Sequence, residues 1–216
     1  MTVNDRRLAF GVGLGRTGTV SLNSAFTALG WRSIHFPKDA DTRSQIIAWL
    51  ETGDRTQPLQ LRRMESVDAL TDSPVAACYE GLGCAYPYAK FVLTVRDTTT
   101  WLASCEALFG ELAELFEEHL DQPVVSYTAT VARHLYGGTT FDADRFARAQ
   151  RSHDDQVTRW AERQGIDLLV LDVSDPHAYQ VLGEFLTGDP VDGDFPHKNT
   201  RHRTIVRQAR NLTGRR

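Results

Sequence analysis

One short segment limits this chain more than any other: Gly11-Val-Gly13-Leu-Gly15-Arg16-Thr17-Gly18-Thr19-Val20-Ser21. An apolar run, Leu8 to Leu14, leads into it. From Thr19 to Leu29 the apolar residues Leu22, Ala25, Phe26 and Leu29 then fall at helical spacing, with Gly30 as the stop. A strand, a glycine-rich turn and a helix in that order bring main-chain N–H groups close to an anion, and the helix N-terminus adds positive potential. Arg16, Thr17, Thr19 and Ser21 supply side-chain donors. A turn rich in glycine for packing alone would not need them, so the segment reads as a phosphate loop.

The rest of the pattern agrees with an α/β chain. Ser33 to Phe36 predicts a short strand, and Ile46, Ile47, Trp49 and Leu50 a helix stopped near Gly53. Thr71-Asp72-Ser73-Pro74 reads as a turn before the apolar run Val75 to Tyr79, a strand that ends near Glu80. Lys90 to Val95 is the clearest strand, launched by Pro87. Long helical patterns run from about Thr99 to His119 and from about Asp142 to Gln164. Asp167 to Val173 is a further buried strand, and Pro176 opens a last helix. Residues 120–141, with Tyr127, His134, Tyr136 and the pair Gly137-Gly138, read as a lid or acceptor wall. Residues 189–216 read as irregular and basic. Strands alternating with helices predict one domain over 1–216, a parallel sheet flanked by helices on both faces.

Composition narrows the function classes. The 216 residues are 41% hydrophobic and 24% charged, which excludes a collagenous or wholly disordered chain. A net charge of -4 argues against a general nucleic-acid binder. No apolar run reaches membrane-spanning length, and the first residues lack the apolar core of a secretory signal. Three cysteines, Cys78, Cys84 and Cys105, stand at no metal-ligand spacing and suit a reducing cytoplasm. Arginine outnumbers lysine 21 to 3, a bias typical of GC-rich bacterial genomes.

Two textual matches overlap in the loop. Gly13-x-Gly15-x-x-Gly18 fits a dinucleotide fingerprint, with Asp39 or Asp41 about twenty residues on, as an NAD(P)-dependent oxidoreductase would have. Gly13-x-x-x-x-Gly18 also begins a Walker A loop, but Thr19 and Val20 replace its Lys and Ser/Thr, so triphosphate hydrolysis lacks its cation and its magnesium ligand. A second motif separates these readings. Arg96 closes the Lys90–Val95 strand and Ser104 follows eight residues later; a guanidinium and a hydroxyl from two elements can clamp one phosphate. Alone, such an arginine is as often an ion-pair partner.

Together the motifs resemble the sulfotransferases that use 3′-phosphoadenosine 5′-phosphosulfate (PAPS), in particular a short P-loop-type subgroup. Gly13–Thr19, Tyr86–Asp97 and Phe195–His197 match that subgroup in order, across nearly the whole chain. Val20 departs from it, where many members carry a second Thr, and leaves Ser21 as a substitute. The resemblance implies a P-loop NTPase-like sulfotransferase fold and a PAPS site made of Gly15, Arg16, Thr17, Gly18, Thr19, Val20, Ser21, Arg96 and Ser104, closed by a basic C-terminal loop with Lys198 and Arg201. It implies Arg16 as the cation at the leaving phosphate, release of 3′,5′-adenosine bisphosphate, a small hydroxyl- or amine-bearing acceptor and no metal. Glu80 then falls where relatives carry the catalytic base; His35 is the next choice and Asp72 the third, each with a structural reading beside it (helix start, lone histidine, turn residue). The short chain leaves room for a homodimer in which a partner borders the acceptor side. A nucleotide-binding module without turnover is the non-catalytic alternative.

Overall fold

Alternation along the short apolar runs sends successive side chains to opposite faces of a sheet, and both faces are covered. In the computed structural model, which describes residues 7–196, five parallel strands are β1 (Ala9–Gly11), β2 (Ser33–His35), β3 (Ala69–Thr71), β4 (Lys90–Val95) and β5 (Leu168–Asp172). Their order is β2-β3-β1-β4-β5. The helices are α1 (Thr19–Ala28), α2 (Ala40–Thr52), α3 (Ser73–Ala76), α4 (Tyr79–Ala85), α5 (Thr98–Glu118), α6 (Pro123–Tyr136), α7 (Ala143–Gln164) and α8 (Ala178–Thr187). This is the expected single α/β domain.

Phe10, Leu70, Phe91 and Leu93 face α2, α4, α6 and α7, where Trp49, Leu82, Tyr127 and Trp160 complete one core. Their strand neighbours Ala9, Ala69 and Val92 face the other way, against Leu22 and Phe26 of α1 and Leu182 and Leu186 of α8. A third apolar cluster lies among α5, α6 and α7, built on Trp101, Phe109, Tyr136 and Phe146, and it receives Leu14 from the loop after β1.

The sheet order discriminates between the two loop readings. A dinucleotide-binding sheet places its second strand beside the first. Here β3 pairs with β1 while β2 sits at the edge, with Gly11 opposite Thr71 and His35 opposite the same Thr71. From β1 the chain runs to the edge at β2, returns to β3 between them, and then crosses β1 to β4 and β5. The switch falls at β1, so the crevice beyond its C-terminal end is where such a fold takes ligands. The oxidoreductase alternative is set aside on this ground, and its acidic residues are otherwise engaged. Asp39 caps α2 and pairs with Arg63 at 3.0 Å, and Asp41 pairs with Arg62 at 3.0 Å.

Two local expectations are corrected. The strand placed at Val75–Tyr79 is absent; the strand is Ala69–Thr71, and residues 73–85 form α3 and α4. Pro74 stands in the first turn of α3, where its fixed φ and missing N–H favour helix initiation, so it marked a helix start. Glu80 therefore lies in the first turn of α4, not at a strand end. The 120–141 lid is corrected too: most of it is α6, whose Val125, Tyr127, Ala129, Val131, Ala132 and Tyr136 are buried. A helix packed in that way does not open as a lid, though it can form a wall. Residues 189–196 are irregular as expected, and the basic segment from His197 onward lies outside the described residues.

The central strand should dominate stability. Phe10 is fully buried, with the rings of Phe91 and Tyr86 centred 5.3 and 5.6 Å away. Phe10→Ala is expected to cost about 3–5 kcal/mol. Urea unfolding should show a lower midpoint with an unchanged slope.

Candidate active site

The glycine loop owes its shape to contacts that only glycine permits. A Cβ at Gly13 would overlap Thr94 Oγ1, and one at Gly15 would come within 2.7 Å of Ser73 Oγ. Gly18 holds φ 109° beside Val173. Thr17 is 1% exposed, and its hydroxyl donates to the Leu14 carbonyl at 2.7 Å while lying 2.6 Å from Thr94 Oγ1. Its N–H also goes to Leu14 O, at 3.2 Å. Thr17 thus braces the loop from inside, and the ligand-donor role expected of its side chain does not fit this placement.

Gly18 is the N-cap of α1 and has no side chain with which to cap it. The first intrahelical bond runs from Leu22 N–H to Gly18 O at 2.9 Å, so the amides of Thr19, Val20 and Ser21 have no partner within the helix. Those amides and the helix dipole favour an anion. Thr19 and Ser21 are buried, and Val20 is half-buried.

Two arginines border the loop. Arg16, held at φ 77°, donates through Nε to Ser104 Oγ at 2.8 Å. Arg96 donates through Nη1 to the Arg16 carbonyl at 3.1 Å and through Nε to Thr100 Oγ1 at 3.3 Å. Thr100 and Ser104 stand one turn apart on α5. Burial lowers the Arg16 pKa from its ordinary value, and the Arg96 cation lowers it further. Two guanidiniums gathered at an uncapped helix start, with a serine hydroxyl between two elements, form a donor set suited to phosphate oxygens. The residues present therefore fit a phosphate-bearing nucleotide. The structure brings together Gly15, Arg16, Gly18, Thr19, Arg96 and Ser104; Lys198 and Arg201 lie outside the described residues.

On the β3 side of the loop stands a histidine–carboxylate pair. Asp72, the first residue beyond β3, is 7% exposed. Its Oδ2 lies 3.1 Å from His35 Nε2, and its Oδ1 accepts from Thr19 Oγ1 at 3.3 Å and from Ser73 Oγ at 3.4 Å. His35 Nδ1 lies 3.1 Å from Thr71 Oγ1, so both ring nitrogens are engaged. The Asp72 backbone, at φ 92° and ψ 177°, lies in a region that side chains other than glycine rarely occupy. Glu80 is elsewhere. Its carboxylate pairs with Arg55 at 3.7 Å, and Arg55 also reaches His134 Nε2 at 2.9 Å. Burial raises the Glu80 pKa. Among the carboxylates that act on Arg16 is Asp72, not Glu80.

Several residues of the site carry no sequence signature. Trp101 Nε1 donates to Gly15 O at 2.9 Å, and Tyr136 Oη hydrogen-bonds with Ser73 and the Gly15 backbone. Tyr127 Oη donates to Pro37 O at 3.2 Å. Helix α6 thus spans the mouth of the sheet from beyond β2 to the glycine loop. His153 and Gln150 of α7 reach strand ends from the core side. Among the described residues no cluster of three His, Cys, Asp or Glu side chains is placed to hold a metal, and no helix is long and apolar enough to cross a membrane.

The α/β sheet thus carries a glycine loop at its switch point, with Arg16 and Arg96 beside it. A family model described as "Sulfotransferase domain" matches residues 9–204, and the chain belongs to that family. The chain is also similar to "Ava biosynthesis cluster protein M" of Aspergillus versicolor, 34% identical over 105 residues. That match takes in 44% of this chain and 40% of the relative.

The buried histidine at the loop gives stability a pH signature. His153 Nε2 lies 2.7 Å from Val12 O, and burial lowers its pKa to about 4. A histidine depressed in the folded state stabilises fully above its unfolded pKa of roughly 6.5, and the benefit falls as pH drops toward the folded value. Its share lost between pH 7 and pH 5 is about 2 kcal/mol. Urea unfolding of the wild type and of His153→Gln at both pH values should differ by that amount, the variant losing less.

Proposed function

We propose that this chain moves a sulfuryl group from PAPS to a hydroxyl or amine of a small-molecule acceptor. The observation that carries this reading is the meeting of Arg16, Arg96 and Ser104 at the uncapped start of α1. Bound PAPS supplies the sulfuryl group and leaves as 3′,5′-adenosine bisphosphate. Arg16, with the amides of residues 18–21, stabilises negative charge on the 5′-phosphate side; it remains charged and gives no proton. Arg96 and Ser104 hold the 3′-phosphate, with Lys198 and Arg201 as further basic partners. The relative carrying the words "biosynthesis cluster" in its name is in keeping with a small-molecule acceptor.

The base passes from Glu80 to Asp72. Sulfuryl transfer needs a group that accepts the proton the acceptor gives up as its oxygen or nitrogen bonds to sulfur. Asp72 borders the glycine loop through Thr19, and His35 orients its carboxylate. His35 itself offers no unengaged ring nitrogen to an acceptor, so its part is to position Asp72 and to balance the charge that Asp72 gains or loses.

Calorimetric titration tests both halves. Wild type should bind 3′,5′-adenosine bisphosphate and ignore NAD, and Arg96→Ala should weaken bisphosphate binding about 10- to 100-fold, the worth of a charge-assisted contact. Asp72→Asn should keep that affinity and lose about 10²- to 10⁴-fold in turnover across a panel of phenols, alcohols and amines. Binding of NAD with indifference to the bisphosphate would sink the reading. An unaltered rate in Asp72→Asn would return the base to another residue.

A further inference from the structure

The inner face of α7 is apolar at Phe146, Val157, Trp160 and Ala161, yet it buries two polar side chains as well. Gln150 is 2% exposed and His153 is 7% exposed. They stand three residues apart, on one face of the helix. Gln150 Nε2 donates to the Arg96 carbonyl at 2.9 Å, and His153 Nε2 donates to the Val12 carbonyl at 2.7 Å. Val12 and Arg96 are the first residues beyond β1 and β4, which are neighbours in the sheet with Gly11 opposite Val92. One helix therefore grips the exit of the strand that feeds the glycine loop and the exit of the strand that carries Arg96.

We propose that Gln150 and His153 are positioning residues that hold the glycine loop and Arg96 at one separation, so that a nucleotide with a phosphate at each end engages both at once. The inference rests on the bisphosphate-nucleotide reading above. Fixing a carbonyl at each exit fixes the peptide plane from which the loop amides, or the Arg96 side chain, then project. Gln150 Oε1 is buried with no hydrogen-bond partner among the described residues. An amide half satisfied in this way adds little to stability, and an apolar side chain of similar size would pack there as well. What the amide does supply is the bond to Arg96. His153 must carry its proton on Nε2 to donate to a carbonyl, and its burial favours the neutral ring that a single N–H implies.

The test uses Gln150→Leu, His153→Leu and the donor-retaining His153→Gln. Each is titrated by calorimetry with 3′,5′-adenosine bisphosphate and with adenosine 5′-monophosphate, and its thermal midpoint is recorded. Gln150→Leu should keep or exceed the wild-type midpoint and lose about tenfold in bisphosphate affinity, while its 5′-monophosphate affinity changes by less than about twofold. His153→Leu should weaken both nucleotides, and His153→Gln should restore them. Equal losses for the two nucleotides in Gln150→Leu, or a bisphosphate preference in that variant undiminished from the wild type's, would overturn the proposal alone. Wild type that binds neither nucleotide would overturn the donor reading, and the proposal with it.

Discussion

A buried pair of hydroxyls, Thr17 and Thr94 at 2.6 Å, is the joint on which the mouth of the sheet depends. It ties the glycine loop after β1 to the adjacent strand β4, two residues before Arg96. Thr17 passes the restraint on to Leu14 O, and Leu14 is anchored in the cluster with Trp101 and Phe146. Because Gly13 has no Cβ, the loop can lie against Thr94 at all. The order of causes runs from glycine to close approach, from close approach to the hydroxyl pair, and from the pair to a loop whose amides face outward. A side chain at Gly13 would break the first link and with it the others.

That organisation is strained, and the strain is concentrated. Arg16, Phe36 and Asp72 are the non-glycine residues with positive φ among those described. Phe36 and Asp72 are the first residues beyond β2 and β3, and Arg16 lies in the loop that follows β1. Backbone of this kind costs about 1–3 kcal/mol per residue and persists where the surroundings over-determine it. The surroundings here are Ser104 and Arg96 at Arg16, the Tyr127 ring 6.0 Å from Phe36, and His35 with Thr19 at Asp72. Three strained residues beyond three adjacent strands mark the region where shape matters more than stability.

Most of the fold was legible in the sequence because its signals are local. The loop, α1, β4, α5 and α7 have glycines, caps or long periodic faces, and each lies within a residue or two of its expected bounds. Strand β3 was missed because three residues, Ala69–Thr71, are too few to show a period, and their pairing with β1 and β2 is nonlocal. That error carried Glu80 to the wrong place, since a residue assigned to a strand end was in fact one helix further on. Asp72, the third choice of base, was placed in a turn for the same reason. The meeting of Arg16, Arg96 and Ser104 was legible through their spacing, whereas Gln150 and His153 act through bonds to distant carbonyls that no local pattern records.

The two kinds of charge also have a direction. Arg16 and Arg96 follow β1 and β4, while Asp72 follows β3 and His35 ends β2, so cation and carboxylate are separated along the sheet order. On the proposed reaction, charge collects on the arginine side and the acceptor loses its proton on the aspartate side. The acceptor must then approach over the ends of β3 and β2, beneath the part of α6 that Tyr127 fixes to Pro37. Thr19 joins the halves, since it opens the helix that faces the phosphate and donates its hydroxyl to Asp72. On the proposed reaction a shift of the loop would therefore move the base as well, so that donor binding and proton transfer meet at the first turn of α1.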